Sequence, residues 1–216
     1  MDIHQIDYET AYLNATLKNQ IFMLPSEGMD LLGHDLLQHD ALGLMLALYG
    51  LKQSGHEWHR VLKEALSTIG FAPSKIDLTM FVRGGDQPAL LLVYVYDILV
   101  LAPPGGGIEE VKKELLALFK RTQLGSAHHC LGIRIVRDDK RGTITLDQGR
   151  YAEEVLARFG MSDFRPVETP MCPKTSLQKS VEGEARCDIT KYQAFIGCLA
   201  YLAQGTRPDR AVAVST

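Results

Sequence analysis

Apolar residues recur every three to four positions in several stretches of the chain, and this spacing predicts amphipathic helices. The first stretch runs from Trp58 to Ile69, and Gly70 marks its end. The second stretch follows APPGGG, a segment of helix-breaking residues. Its spacing predicts that Ile108, Val111, Leu115 and Leu118 face the core. Two further helices are predicted near Tyr151–Phe159 and Tyr192–Ala203.

Other segments carry the signals of antiparallel hairpins. The segment MFVRGGDQPALLLVYV predicts two strands around a Gly-Gly-Asp turn, and LGIRIVRDDKRGTITL predicts a second hairpin that turns at Asp138–Gly142. The Pro-rich stretch Arg165–Lys179 is predicted to be an extended connection. Because helices and antiparallel hairpins are mixed irregularly, the sequence predicts an α+β fold.

One acidic residue interrupts the most apolar run, LLVYVYDILV. Strand signals lie on both sides of Asp97, at Leu90–Val95 and Ile98–Ala102, with neither Gly nor Pro between them. An ionised carboxylate is costly to bury unless something pairs with it. Either the strand runs straight through, or a tight hairpin at Val95–Asp97 lifts the carboxylate to the surface of a sheet.

A second aspartate has a similar setting near the N-terminus. Asp7 follows Ile3 and Ile6 in the segment IHQIDYETAYLNATL. Two carboxylates at the ends of neighbouring strands would suit a divalent cation, since hard cations take oxygen ligands. The spacing alone also allows a simpler interpretation, in which each Asp marks a strand end or caps a helix.

Composition limits the class of protein. A chain of 216 residues with 46% hydrophobic content can form one large domain or two small ones, and its net charge of −3 weighs against a stand-alone nucleic-acid-binding protein. The four cysteines show no Cys-x-x-Cys spacing, which favours a reduced, intracellular chain over a disulfide-bonded one. The polar start of the sequence predicts no signal peptide, and the longest apolar run is too short to cross a membrane.

Six segments occur in a fixed order: QIDYETAYLNATL, LYGLKQSGHEWH, LLVYVYDILVLA, LGIRI, RYAEEVLARFGM and TRPDRAVAVS. Together they closely resemble the reverse transcriptase of copia-type (Ty1-like) LTR retrotransposons. The resemblance implies a reverse-transcriptase palm, an antiparallel sheet backed by helices, with partial fingers and a C-terminal thumb- or connection-like region. On this basis residues 1–124 are predicted to be the palm with a remnant of the fingers, and residues 125–216 the thumb- or connection-like region.

The resemblance also assigns roles to individual residues. Asp7 and Asp97 match metal-binding, catalytic aspartates, and the Tyr8 carbonyl matches a further oxygen ligand. Tyr12 matches the aromatic residue that lies beneath the sugar and excludes ribonucleotides. The incoming nucleotide and primer terminus would be contacted by Gly50, Lys52 and Gln53.

The third position of the family's Tyr-Val-Asp-Asp turn departs from the pattern, because Tyr96 stands where an Asp is expected. Polymerases of this kind use two magnesium ions, and a neutral phenol is a poor magnesium ligand. The resemblance therefore implies a reverse transcriptase fragment of a retrotransposon polyprotein, impaired in catalysis, that binds Mg²⁺ or Mn²⁺ weakly if at all. The alternative function is a non-catalytic binding or interaction module derived from a retroelement.

Expected partners follow from the same resemblance. They are an RNA or DNA template-primer and deoxynucleoside triphosphates. The sequence starts at the first palm strand and ends before any RNase H domain, so a partner chain or other polyprotein segments are expected to complete the enzyme. No membrane partner is expected.

Overall fold

The computed structural model describes residues 1–29, 41–119, 121–171 and 188–216, with the backbone alone described at 121–124. The chain divides into two compact units, Met1–Ala127 and His128–Thr216. Each unit contains helices and antiparallel strands, so the fold is mixed α and β, as the sequence predicts.

The first unit is built around a six-stranded antiparallel sheet. Its strands follow the order β4-β5-β6-β7-β1-β8, and β2 and β3 form a separate two-stranded sheet. The strands are β1 (Asp2–Tyr8), β2 (Thr16–Met23), β3 (Leu42–Leu46), β4 (Ala72–Pro73), β5 (Met80–Arg83), β6 (Ala89–Tyr94), β7 (Asp97–Ala102) and β8 (Arg121–Ser126). Helix α1 covers Ser54–Thr68 and helix α2 covers Ile108–Leu118.

Both helices bury one apolar stripe in the core that they share with the sheet. Helix α1 contributes Trp58, Leu62 and Leu66, which lie three to four residues apart and therefore on one face. Strand β7 alternates between buried and half-buried residues, as a strand with one face on the core does. This packing fixes the register of β7, because a shift by one residue would move its apolar side chains out of the core.

The second unit contains a smaller sheet and the remaining helices. Strands β9 (His129–Cys130), β10 (Ile133–Asp138) and β11 (Thr143–Asp147) form an antiparallel sheet in the order β11-β10-β9. The helices are α3 (Gly149–Arg158), α4 (Ile189–Gly205) and α5 (Ala211–Ser215), with a 3₁₀ turn at Pro208–Arg210.

The four predicted helices and both predicted hairpins are present. Helix α1 starts at Ser54, four positions before the first residue of the apolar pattern, and α4 extends beyond its predicted range at both ends. Of the predicted connection Arg165–Lys179, residues up to 171 contain no helix or strand, and the rest lies outside the described residues. Among the described residues, Cys130 and Cys198 take part in no disulfide. No helix among the described residues is long and apolar enough to cross a membrane.

Candidate active site

A tight hairpin turn brings Asp97, the acidic residue of the apolar run, to the end of the sheet. Strand β6 ends at Tyr94 and β7 begins at Asp97, and these two residues pair directly, so that Val95 and Tyr96 form the loop. The hairpin interpretation of this run is therefore confirmed. Val95 has a φ of 56°, a left-handed conformation that a β-branched residue rarely adopts and that costs about 1–3 kcal/mol.

Asp7 and Asp97 lie side by side at the ends of neighbouring strands. Strands β1 and β7 are antiparallel, and their register places Asp7 directly opposite Asp97. Directly opposed residues in such a pair have Cα atoms roughly 4.5–5.5 Å apart. The predicted proximity of the two carboxylates is thus confirmed, and both side chains are only partly buried.

The residue at position 96 belongs to the same edge of the sheet. The backbone N–H of Tyr8 donates a hydrogen bond to the Tyr96 carbonyl oxygen at 3.0 Å, which ties the turn to the residue after Asp7. The Tyr8 ring itself is buried, and its hydroxyl donates to the Leu115 carbonyl at 2.8 Å. Only the backbone of Tyr8 is therefore placed to serve the site.

The two carboxylates create an excess of negative charge at this edge. Partial burial raises the pKa of Asp7 above its ordinary value, and the neighbouring charges of Asp97 and Glu9 raise it further. Gln5 donates a hydrogen bond from Nε2 to Oδ1 of Asp97 at 3.1 Å. In the described parts of the chain, neither Asp7 nor Asp97 forms an ion pair with Lys, Arg or His. A bound cation would relieve this repulsion.

We expect the substitution Asp97→Asn to lower the pKa of Asp7, because it removes a neighbouring negative charge while keeping the shape of the side chain. The pKa of Asp7 should stay above that of a free aspartate, since burial is the larger cause of its shift. A pH titration followed by NMR of the Asp7 carboxyl carbon measures both effects. An unchanged Asp7 pKa in Asp97→Asn would contradict the electrostatic contact.

A cluster of three aromatic rings supports the turn. Nε1 of Trp58 donates a hydrogen bond to the Val95 carbonyl at 2.6 Å. The ring centroids of Trp58 and Phe119 lie 5.0 Å apart, and Tyr8 contacts both rings edge-on. The sequence predicts Trp58 as a core residue, but no sequence signal indicates its hydrogen bond to the strained turn.

Two tyrosine rings of the first unit contact each other. Tyr12, in a 3₁₀ turn after β1, packs its ring against Tyr49 with 4.5 Å between the centroids. The pKa of Tyr49 is raised by partial burial and, to a smaller extent, by Tyr12, Tyr96 and Asp7. The sequence analysis missed Tyr49, although it lies in the quoted segment LYGLKQSGHEWH.

The three other residues assigned to nucleotide contact follow Tyr49 in the chain. Gly50 has a φ of 96°, which a glycine adopts without strain. Gln53 precedes the first residue of α1, and its carbonyl accepts a hydrogen bond from the Glu57 N–H at 3.0 Å. Lys52 is exposed. Among the described residues, no hydrogen bond joins the side chains of Lys52 or Gln53 to either aspartate, so their role stays a prediction.

The donor atoms suit one divalent cation better than two. Asp7 and Asp97 offer carboxylate oxygens, which Mg²⁺ and Mn²⁺ accept as ligands. Within the described ranges, no group of three or more His, Cys, Asp or Glu residues could hold a metal ion. A pair of ions needs bridging carboxylates, and at position 96 the chain offers a phenol instead.

Comparison with known proteins identifies the family of the chain. Residues 1–173 match the family described as reverse transcriptase (RNA-dependent DNA polymerase). The chain belongs to this reverse transcriptase family. The resemblance seen in the ordered sequence segments is therefore confirmed.

Several proteins similar to this reverse transcriptase chain come from retrotransposons. It is 31% identical over 99% of its length to the retrovirus-related Pol polyprotein from transposon TNT 1-94 of Nicotiana tabacum. Identity is 35% over 99% of the chain with the Pol polyprotein from transposon RE1 of Arabidopsis thaliana. Over 97% of the chain it is 30% identical to a putative transposon Ty5-1 protein of Saccharomyces cerevisiae.

The chain spans a small part of the two plant polyproteins, 16% of the first and 14% of the second, and 67% of the yeast protein. It therefore corresponds to the reverse transcriptase segment of a larger copia-type polyprotein. Reverse transcriptase domains act on nucleic-acid templates and generally use divalent metal ions.

Proposed function

We propose that the Met1–Ala127 unit is a reverse transcriptase palm whose metal site lacks one carboxylate. The chain therefore polymerises DNA at or near background. The observation that carries this proposal is the direct pairing of Asp7 with Asp97 beside the Val95–Tyr96 loop. In this interpretation β2 and β3 form part of the fingers, and the second unit is the thumb- or connection-like region.

Asp7 and Asp97 would hold a divalent ion, with the Tyr8 carbonyl as a further oxygen ligand. In polymerases of this kind the metal ions align the primer hydroxyl, stabilise in-line phosphoryl transfer and neutralise the leaving pyrophosphate. Gln5 orients Asp97 through its hydrogen bond to Oδ1, so that the second carboxylate oxygen is left to face the ion. The buried rings of Tyr8 and Trp58, together with the partly buried ring of Phe119, support this edge of the sheet.

Tyr96 weakens the site for two physical reasons. It replaces a negatively charged oxygen ligand with a neutral phenol, and its ring is larger than the carboxylate that the family has at this position. Loss of one preorganised electrostatic group typically lowers the rate by about 10²–10³, and loss of a bridging ligand should lower it at least as much. The hydrogen bond between Tyr8 and Tyr96 supports this assignment, because it ties position 96 to the β1 strand that carries Asp7.

The nucleotide side of the site would be formed by Tyr12, Gly50, Lys52 and Gln53, together with Tyr49. The Tyr12 ring, which packs against Tyr49 with the planes tilted by 50°, would form the wall beneath the sugar. Lys52 is the cationic side chain nearest in sequence to this wall and would contact a phosphate. Substrates of this site are a template-primer and a deoxynucleoside triphosphate.

A primer-extension assay with the 216-residue chain tests the proposal. We expect the unmodified chain to extend a primed RNA or DNA template in Mg²⁺ or Mn²⁺ no more than the Asp7→Asn variant does. That variant removes the negative charge of a metal ligand while it keeps the shape of the side chain. Equal background signals in both proteins support the loss of activity. Extension by the unmodified chain well above the Asp7→Asn control would overturn it.

The second candidate function is a non-catalytic binding module. The observation that favours it is the exposure of two large aromatic side chains, since Tyr96 is 39% exposed and Tyr49 is 58% exposed. Exposed rings of this kind can contact a partner whether or not polymerisation survives.

A further inference from the structure

Helix α4 of the second unit is apolar around its circumference, yet little of it is buried. Between Ala194 and Ala203 every residue except Gly197 is apolar, so each face of the helix carries apolar side chains. Of the residues in this helix, only Ala203 is buried. A helix that is apolar all round is normally enclosed by other parts of a protein. Exposed apolar surface of this kind indicates a binding site.

A cavity of about 400 Å³ lies against this helix within the second unit. Helix α4 contributes Phe195, Leu199 and Leu202 to its lining, which are three to four residues apart and therefore share one face. Helices α3 and α5 provide further apolar walls, among them Val155 and Val214. Sites for small molecules usually have volumes of about 300–1,000 Å³ and a mostly apolar lining. The cavity therefore has the size and the lining of a small-molecule site.

One end of the cavity is positively charged. Two of the described residues that line it are charged, and both are arginines, Arg207 and Arg210. Arg207 donates from Nε and Nη2 to the two carboxylate oxygens of Asp209 at 2.9 and 2.8 Å, and Nε of Arg210 donates to Oδ2 of Asp209 at 3.1 Å. The hydrogen bond from Arg207 is the main reason that the pKa of Asp209 falls to about 2, which keeps this carboxyl ionised. Two cationic side chains thus share one anion, and one positive charge is left in excess.

The position of the arginines gives the cavity two chemically different ends. The backbone N–H of Arg207 donates to the Leu202 carbonyl at 2.9 Å, so the arginine pair lies at the C-terminal end of α4. Phe195 lies seven residues before Leu202, roughly 10 Å away along the helix axis. In the described part of the chain, no hydrogen bond occupies the terminal nitrogens of Arg210. An elongated ligand can therefore place an anionic group at Arg210 and an apolar chain along α4.

We propose that this cavity binds an amphiphilic carboxylate, a molecule with one anionic head group and one unbranched alkyl chain. The carboxylate pairs with Arg210, and the alkyl chain packs against Phe195, Leu199 and Leu202. A protein helix is about 10 Å across, so a cavity of this volume admits only a few of its side chains, whereas a single alkyl chain can fill it. This site goes beyond the proposed function and shares no residue with the metal or nucleotide site.

Titration with sodium octanoate, followed by NMR of the Leu and Val methyl groups, tests the proposal. Octylammonium chloride is the matched control, because it has the same alkyl chain with the opposite charge. We expect octanoate to shift the methyl signals of Leu199, Leu202 and Val214, and octylammonium to bind at least about tenfold more weakly because the arginines repel it. The methyl signals of Leu24, which is 71% exposed in the first unit, should not move. Equal binding of the two amphiphiles, or equal shifts at Leu24, overturns the proposal.

Variants at the two ends of the cavity locate the site. Arg210→Gln should weaken octanoate binding about fivefold, the upper size of a solvent-exposed ion pair. Arg150→Gln is the matched control, since the Arg150 side chain is 93% exposed in the same unit and does not line the cavity. Ala152→Phe places a ring in the cavity and should abolish binding, with circular dichroism as the check that the helices are kept. If Ala152→Phe does not fold, Arg210→Gln decides alone, and an octanoate affinity unchanged in that variant overturns the proposal.

Sedimentation velocity tests the alternative occupant of this face, a second copy of the chain. We expect the unmodified chain and Leu199→Glu to sediment alike. A dimer that Leu199→Glu dissociates would show that the face is a protein interface, which overturns the proposal. Failure of the polymerase assignment in the primer-extension assay leaves the octanoate titrations unaffected, since they contain neither primer, triphosphate nor divalent metal.

Discussion

The substitution Tyr96→Asp should raise the affinity of the chain for Mn²⁺ by at least about tenfold. At an effective dielectric constant of 20, two unit charges 4 Å apart interact by about 4 kcal/mol. A third of this interaction energy is enough to change the affinity tenfold. The new carboxylate would lie in the loop that the Tyr8–Tyr96 backbone bond holds beside Asp7. Calorimetric titration of Mn²⁺ into both proteins measures the difference.

Two control variants separate charge from space. Tyr96→Asn removes the ring but adds no charge, so it should bind Mn²⁺ much more weakly than Tyr96→Asp. The double variant Asp7→Asn/Tyr96→Asp should lose the gain, because the restored carboxylate then lacks the partner with which it would bridge an ion. Equal Mn²⁺ affinities of the unmodified chain and Tyr96→Asp would show that Tyr96 does not disable a metal site. Metal affinity is the sharper readout, since polymerisation also requires positioning of the triphosphate.

The periodic parts of the fold could be predicted from the sequence because each buries a single apolar face. Trp58, Leu62 and Leu66 repeat at helical spacing, and the helix formed where they predicted it. The predicted start of this helix, Trp58, lies after the observed start, Ser54, because Ser54 and Glu57 are polar and break the apolar pattern. Both are nevertheless buried: the Ser54 hydroxyl bonds to the Leu48 carbonyl, and Glu57 pairs with Arg60. Tertiary partners of this kind leave no trace in the spacing of apolar residues.

The turn at the candidate site could not be decided from local sequence rules. Two-residue hairpin loops favour Gly, Asn or Asp, which tolerate positive φ, whereas this loop is Val95–Tyr96. The residue types in this segment therefore do not decide between a continuous strand and a hairpin turn. The resemblance favoured the turn, and the structure shows its support: a φ of 56° at Val95 and the Trp58 hydrogen bond to its carbonyl. A locally unfavourable conformation held by distant residues is common at functional sites.

Tyr49 illustrates a different limit of the sequence. It lies outside any helix or strand, and its ring meets Tyr12 only because β2 and β3 bring the two segments together. The Ala47 N–H donates to the Ala15 carbonyl at 2.8 Å, which fixes this approach. Nothing in the spacing of polar and apolar residues indicates such a contact between segments more than 30 positions apart.

The largest loss of stability is expected from Trp58→Ala. Trp58 is 2% exposed, and replacement of a buried aromatic residue by alanine typically costs 3–5 kcal/mol. The substitution also leaves the Val95 carbonyl without its donor, which adds roughly 1–3 kcal/mol if water does not replace it. Since Trp58 is the only tryptophan of the chain, urea unfolding must be followed by circular dichroism rather than by tryptophan fluorescence.

Two further variants separate packing from the hydrogen bond. Trp58→Phe keeps a ring against Tyr8 and Phe119 but removes the donor to Val95, so it should destabilise the first unit less than alanine while still loosening the turn. Faster amide hydrogen exchange at Ile98, which begins the buried face of β7, would report that loosening. Phe22→Ala is the matched control, because Phe22 is 57% exposed and its loss should change the free energy of unfolding by no more than about 0.5 kcal/mol. If Trp58→Ala is no more destabilising than Phe22→Ala, the aromatic cluster does not support the turn, and the order of the Asp97 carboxylate must come from Gln5 and the strand pairing alone.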